Sequence, residues 1–75
     1  MVKLSSEDKF LKAVGAKLRS IRLDRGWTLE EAEEHGWPNW RHLQKIESGK
    51  NVTVLTLYKL SKLYKIKLTE ILDAL

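Results

Sequence analysis

Arg41, Gln44, Lys45 and Ser48 share one edge of the stretch WRHLQKIES. At about 100° per residue on a helix from Trp40 to Ser48, they point away from Leu43, Ile46 and Glu47. The first set offers a guanidinium, an amide, an ammonium and a hydroxyl. Those groups suit recognition by hydrogen bonding, of base edges and phosphate oxygens, rather than bond making. Arg41, in the first turn, can pair bidentately with the O6 and N7 of guanine. Gln44 suits adenine, and Lys45 suits guanine or a phosphate. Trp40 sits between the two faces. Its ring could cover a thymine methyl or a sugar, or it could pack on Trp37 or Pro38.

Other chemistry finds little support. His35 and His42 are not at i, i+4 on one helix, and there is no cysteine to join them. A zinc site needs more ligands at suitable spacing, so neither a metal nor another cofactor is expected. No nucleophile elbow and no glycine-rich phosphate loop is present, and no enzyme activity is expected. Glu30 and Glu34 form an i, i+4 pair that reads as a solvated helix face.

Composition agrees with a binding role. The 14 Lys and Arg exceed the 10 Asp and Glu, for a net charge of +4, which mildly favours an anionic partner. The segment from Trp27 to Gly36 nevertheless holds Glu30, Glu31, Glu33 and Glu34 and no Lys or Arg. An indiscriminate nucleic-acid binder would not carry that block. With 75 residues there is room for one small domain, 1–75. A chain of this size buries only about 60% of the surface its unfolded form exposes, so pairing with a second copy would help it. No run of about 18 apolar residues exists, hence no membrane span is expected. MVKLSSEDKF lacks an apolar signal core. The expected location is a cytoplasm, bacterial or phage-encoded.

The elements that must position these residues are all helical. Ser5 or Ser6 is a good N-cap, with Glu7 and Asp8 complementing the helix dipole. Leu11, Val14, Leu18 and Ile21 then form one amphipathic stripe. Gly15 within it implies close approach of a neighbour, and Gly26 ends the helix. Thr28 and Glu31 form a capping box, with Trp27 placed as a hydrophobic staple against Ala32. Trp37-Pro38 forces a turn, and Asn39 caps the next helix. After the Ser48-Gly49-Lys50-Asn51 turn, Thr53 caps a fourth helix with Val54, Leu57, Leu60, Ser61 and Tyr64 on one stripe. Ile66 plugs the core, and Leu68 to Leu75 forms a short last helix with Ile71 and Leu72 inward. The expectation is an all-α chain of five helices.

The pattern resembles the Cro/phage-repressor helix-turn-helix family, also called XRE-like. Gly15-Ala16-Lys17-Leu18-Arg19 with Arg22 resembles the family's opening helix, and Arg25 to Glu31 the start of its second. Leu43 to Lys50 resembles the end of the recognition helix and its turn. Leu57 to Leu63, Ile66, Leu68 and Ile71-Leu72 resemble the closing helices. The joint order and spacing, from Val14 to Leu72, make the match specific. One place departs: either the family's turn glycine falls on Trp37, or Gly36 fills it and the turn gains one residue around Pro38. The second is preferred, since glycine tolerates a left-handed backbone and tryptophan does so poorly.

The resemblance implies a lambda-repressor-like fold with the helix-turn-helix proper at 28–49. It implies a sequence-specific regulator of transcription on double-stranded DNA. The helix 40–48 would lie in the major groove, in a homodimer on an inverted repeat. Base reading would fall to Trp40, Arg41, Gln44 and Lys45. Backbone contacts would fall to Thr28, Leu29, Asn39, Ser48, Lys50 and Asn51. Arg22 and Glu47 would form a structural ion pair. Tyr58, Ile71, Leu72 and Leu75 are candidates for the dimer contact, although they could equally close the monomer core. The competing reading is a protein-interaction module, an antitoxin or accessory factor. Its working surface would be the acidic second helix and exposed tryptophans.

Overall fold

A computed structural model describes residues 4–73, and among them the chain forms five α-helices and no strands. They are α1 (Ser6–Asp24), α2 (Leu29–Glu34), α3 (Trp40–Glu47), α4 (Val54–Tyr64) and α5 (Leu68–Leu72). Small polar residues set four of the five starts. Ser5 and Asp8 exchange backbone and side-chain hydrogen bonds as a capping box on α1, and Thr28 and Glu31 do the same on α2. Asn39 caps α3 and Thr53 caps α4. Such caps satisfy N–H groups that a helix leaves without partners.

Four of the five helices stop at a residue with a reversed backbone sign, Gly26, Gly36, Gly49 and Lys65. Gly26, just past α1, has φ +73, at no steric cost to glycine. Lys65, at the end of α4, has φ 56, although it is not glycine. A side chain there costs roughly 1–2 kcal/mol. Backbone bonds to Ser61 and Lys62 carbonyls hold it in place.

The core collects Val14, Leu18 and Ile21 of α1, Ala32 of α2, and Leu43 and Ile46 of α3. Leu57, Leu60 and Tyr64 of α4, Ile71 of α5 and Trp37 from the α2–α3 turn complete it. Val54 departs from the expected stripe. At the first position of α4 it is 72% exposed, because the chain has only just left the Lys50–Thr53 turn and its side chain falls beyond the core edge. Trp27 packs against the core that includes Ala32 and has aromatic partners as well. Its indole stacks on His35, with ring centroids 3.9 Å apart, and leans on Tyr64 at 5.8 Å.

One close approach fixes α3 on α1. A Cβ at Gly15 would lie 2.6 Å from the backbone oxygens of both Ile46 and Glu47. Only glycine allows the last turn of α3 to rest directly on α1. The α2–α3 turn follows the glycine account. Gly36 has φ +122, and Trp37 is free to turn its ring inward, where it is 5% exposed.

Candidate nucleic-acid interface

The exposed edge of α3 is built from its buried edge. Leu43 and Ile46 are wholly enclosed, which fixes the rotation of the helix about its axis. Arg41, Gln44, Lys45 and Ser48 are thereby turned to solvent, and Trp40 is half-buried beside them.

Both ends of α3 are tied. At the start, the Trp40 N–H donates to Glu33 Oε2 at 2.8 Å, and the Arg41 N–H donates to Asn39 Oδ1 at 2.9 Å. The Asn39 oxygen is therefore used in the cap, and only its amide N–H groups remain for another acceptor. At the far end, the Ser48 hydroxyl donates to the Lys45 carbonyl at 2.7 Å. Its proton is engaged inside the chain, so Ser48 is poorly placed to donate to a phosphate. The Gly49 and Lys50 N–H groups close the turn on Ile46 and Lys45 carbonyls. Lys50 and Asn51 follow, both exposed.

Arg41 and Trp40 form a unit that their sequence spacing does not suggest. The Arg41 guanidinium lies 4.8 Å from the Trp40 ring centroid. Such a stack is worth about 0.5–1 kcal/mol at an exposed site. It also restricts the arginine before any ligand arrives, so less rotamer entropy is lost on binding.

Arg22 and Glu47 connect α1 to the end of α3. Arg22 donates from Nε to Glu47 Oε2 at 2.8 Å and from Nη2 to Oε1 at 2.9 Å. A third bond runs from Nη1 to the Trp27 carbonyl at 2.7 Å. The two side chains are only 8% and 6% exposed. The Glu47 hydrogen bond raises the Arg22 pKa, against a smaller opposing effect of burial. This pair walls a cleft of about 280 Å³, with Arg19, Leu29, Gln44 and Ser48 as its other sides.

On α2, the Thr28 hydroxyl oxygen accepts from the Glu31 N–H at 3.1 Å. Leu29 packs against the core, while its N–H, in the first turn, has no intrahelical acceptor. Among the dimer candidates, Tyr58 is exposed and Leu72 is half-buried against the core. Ile71 is completely buried within the monomer, so it offers nothing to a second chain. Leu75 lies outside the described residues. His35 and His42 stack on Trp27 and Trp37 respectively, which gives each imidazole a packing role. Among the described residues there is no group of three metal-ligating side chains, and no helix long and apolar enough to cross a membrane.

A protein-family model described as helix-turn-helix matches residues 18–71. That span takes in α2, α3, the turn between them and most of the core. The chain belongs to the helix-turn-helix family. Comparison with curated proteins and with solved structures returned no match. The family is one of DNA-binding regulators of the Cro/XRE type, and α2, α3 and the turn between them all lie within the matched span. Of the surface that a protein-docking role would use on this helix-turn-helix chain, Glu30, Glu33 and Glu34 are exposed and the tryptophans are partly withdrawn. Trp37 is interior, Trp27 is covered by His35, and Trp40 is covered by Arg41. Nothing in the sequence announces the Glu33 tie or the Trp40–Arg41 stack. Residues at i and i+1 do not face one another in a regular helix, and Glu33 reaches Trp40 across a turn, seven residues on, so no spacing rule reports either.

Proposed function

We propose that the chain is a sequence-specific regulator of transcription that lays α3 in the major groove of double-stranded DNA. The observation that carries this reading is the two-sidedness of α3. Leu43 and Ile46 are enclosed, while Arg41, Gln44 and Lys45 stand exposed along one edge. Arg41 would read guanine, held ready by Trp40, with Gln44 and Lys45 following along the groove. Lys50, Asn51, the Asn39 amide, the Thr28 hydroxyl and the Leu29 N–H would meet phosphates on either side. Ser48 would serve the turn rather than the backbone. Affinity would come largely from phosphate neutralisation and would fall with salt.

A half-site read by so short a helix carries little information, so a homodimer on an inverted repeat fits best. Tyr58 and Leu72 remain its candidate contacts. Exposed Leu55, on the same helix as Tyr58, adds to them. This work would be done in the compartment that holds the DNA, a cytoplasm.

The test is selection of bound sites from a random duplex pool at fixed salt. The expected result is a short inverted repeat with half-site centres about 34–36 Å apart. Recovery of the starting sequence distribution after several rounds would overturn the reading.

A further inference from the structure

Twelve residues of α1, Ser6 to Lys17, precede the span matched by the family model. They are not a free extension. Lys12 lies directly on the turn that follows α3. A Cβ at Gly49 would be 2.8 Å from Lys12 Cγ and 3.3 Å from Lys12 Cα. One turn further along α1, Gly15 touches the Ile46 and Glu47 carbonyl oxygens. Two contacts therefore fix this part of α1 against the end of α3. Gly49 itself has φ +100, so both its backbone and its lack of a side chain serve this junction.

The Lys12 stem is held, but its charge is not neutralised. Lys12 is exposed, and among the described residues no carboxylate comes within 4.0 Å of its ammonium. Asp8, four residues before it, is engaged in capping at Ser5. Lys50 and Asn51, the next residues after Gly49, are exposed too. Arg19 continues the same edge of α1 and lines the cleft beside Gln44. It lies seven residues on from Lys12, a rise of about 10 Å.

From this placement we infer that Lys12 is a phosphate-contacting residue, supplied by the start of α1 to the DNA strand that passes the Gly49–Asn51 turn. The inference rests on the DNA-binding reading above. The partner is the sugar-phosphate chain, and the contact carries no base preference. A purely structural role, complementing the carbonyl end of α3, would show in stability and not in the salt dependence of binding.

The experiment measures duplex affinity against salt, on a preferred and a scrambled duplex, for the parent and four variants. Lys12→Gln keeps the stem against Gly49 and removes the charge, and Lys12→Arg restores it. Lys62→Gln removes one charge from a second cleft, lined by residues of the α2–α3 turn and α4, as a control for net charge. Arg41→Ala tests the DNA-binding reading itself. Melting temperatures confirm that each variant is folded.

Because it neutralises one phosphate fewer, Lys12→Gln should lower the slope of log K against log salt by about 0.9. That corresponds to roughly 8-fold weaker binding at about 0.1 M salt, equally on both duplexes. Lys12→Arg should bind as the parent does, and Lys62→Gln should leave the slope unchanged. If Lys12→Gln matches the parent or Lys62→Gln while Arg41→Ala loses its preference, Lys12 touches no phosphate and the DNA reading stands. If the parent binds neither duplex, both fall together.

Discussion

Removing Arg22 should come close to unfolding this chain. Arg22→Ala deletes three hydrogen bonds of 2.7–2.9 Å and leaves the Glu47 carboxylate, only 6% exposed, without its cation. Breaking one side of a buried ion pair typically costs about 3–5 kcal/mol. A 75-residue domain at about 0.05–0.15 kcal/mol per residue has only about 4–11 kcal/mol to lose. Arg19→Ala, three residues away on the same helix, removes an exposed side chain without an ion partner among the described residues. It should cost less than about 0.5 kcal/mol.

Urea unfolding followed by circular dichroism separates the two. Arg22→Ala should have a midpoint far below the parent or no cooperative transition, and Arg19→Ala should be close to the parent. A double variant, Arg22→Met with Glu47→Leu, removes both charges and should recover much of the loss, since apolar replacements of buried pairs are often tolerated. Equal midpoints for Arg22→Ala and Arg19→Ala would refute the reasoning. So would a double variant no better than Arg22→Ala, because the cost would then lie in packing and not in a stranded charge.

Tyr64 presents the opposite situation, since its hydroxyl is buried without a hydrogen-bond partner and burial raises its pKa to about 12. The protonated form is favoured in the folded chain, so stability is full below about pH 10, the unfolded value, and is lost as pH rises towards about 12. Tyr64→Phe should be neutral or slightly stabilising at about pH 7 and should remove that alkaline loss, read from denaturation midpoints between about pH 9 and 12. Gly15→Ala meets backbone carbonyls that cannot swing aside. It should therefore destabilise by about 1–3 kcal/mol despite the better helix propensity of alanine. An unchanged melting temperature would mean that α1 and α3 can separate freely. Lys65→Gly relieves the left-handed residue at the end of α4. It should raise stability by about 1 kcal/mol, seen as a higher melting temperature.

Much of this architecture is readable in the chain because local signals agree with one another. Thr28 with Glu31, Asn39, and Thr53 mark helix starts by side-chain chemistry, and the structure places caps at each. Gly15 announces a close approach because nothing else explains a glycine in mid-helix. Where the sequence misleads, tertiary geometry decides. Val54 fits the period of α4 but lies beyond the core that the stripe faces. Trp37 reads as a turn residue and proves to be part of the interior, because Gly36 absorbs the backbone reversal and frees the tryptophan to point inward. Ile71 fits a dimer contact as well as a core residue by pattern alone, and only its complete burial distinguishes them. The Lys12–Gly49 junction joins residues 37 positions apart through two helices, which no local period encodes.

The most direct measurement compares Arg41→Ala with Lys50→Ala on a preferred and a scrambled duplex by fluorescence anisotropy at several salt concentrations. Arg41 is held against Trp40 on the exposed edge of α3, and Lys50 follows the turn. Arg41→Ala should lose about 1–3 kcal/mol of discrimination between the duplexes, and Lys50→Ala should weaken both and flatten the salt dependence. If Arg41→Ala discriminates as the parent does, the outward edge of α3 is not what reads the DNA.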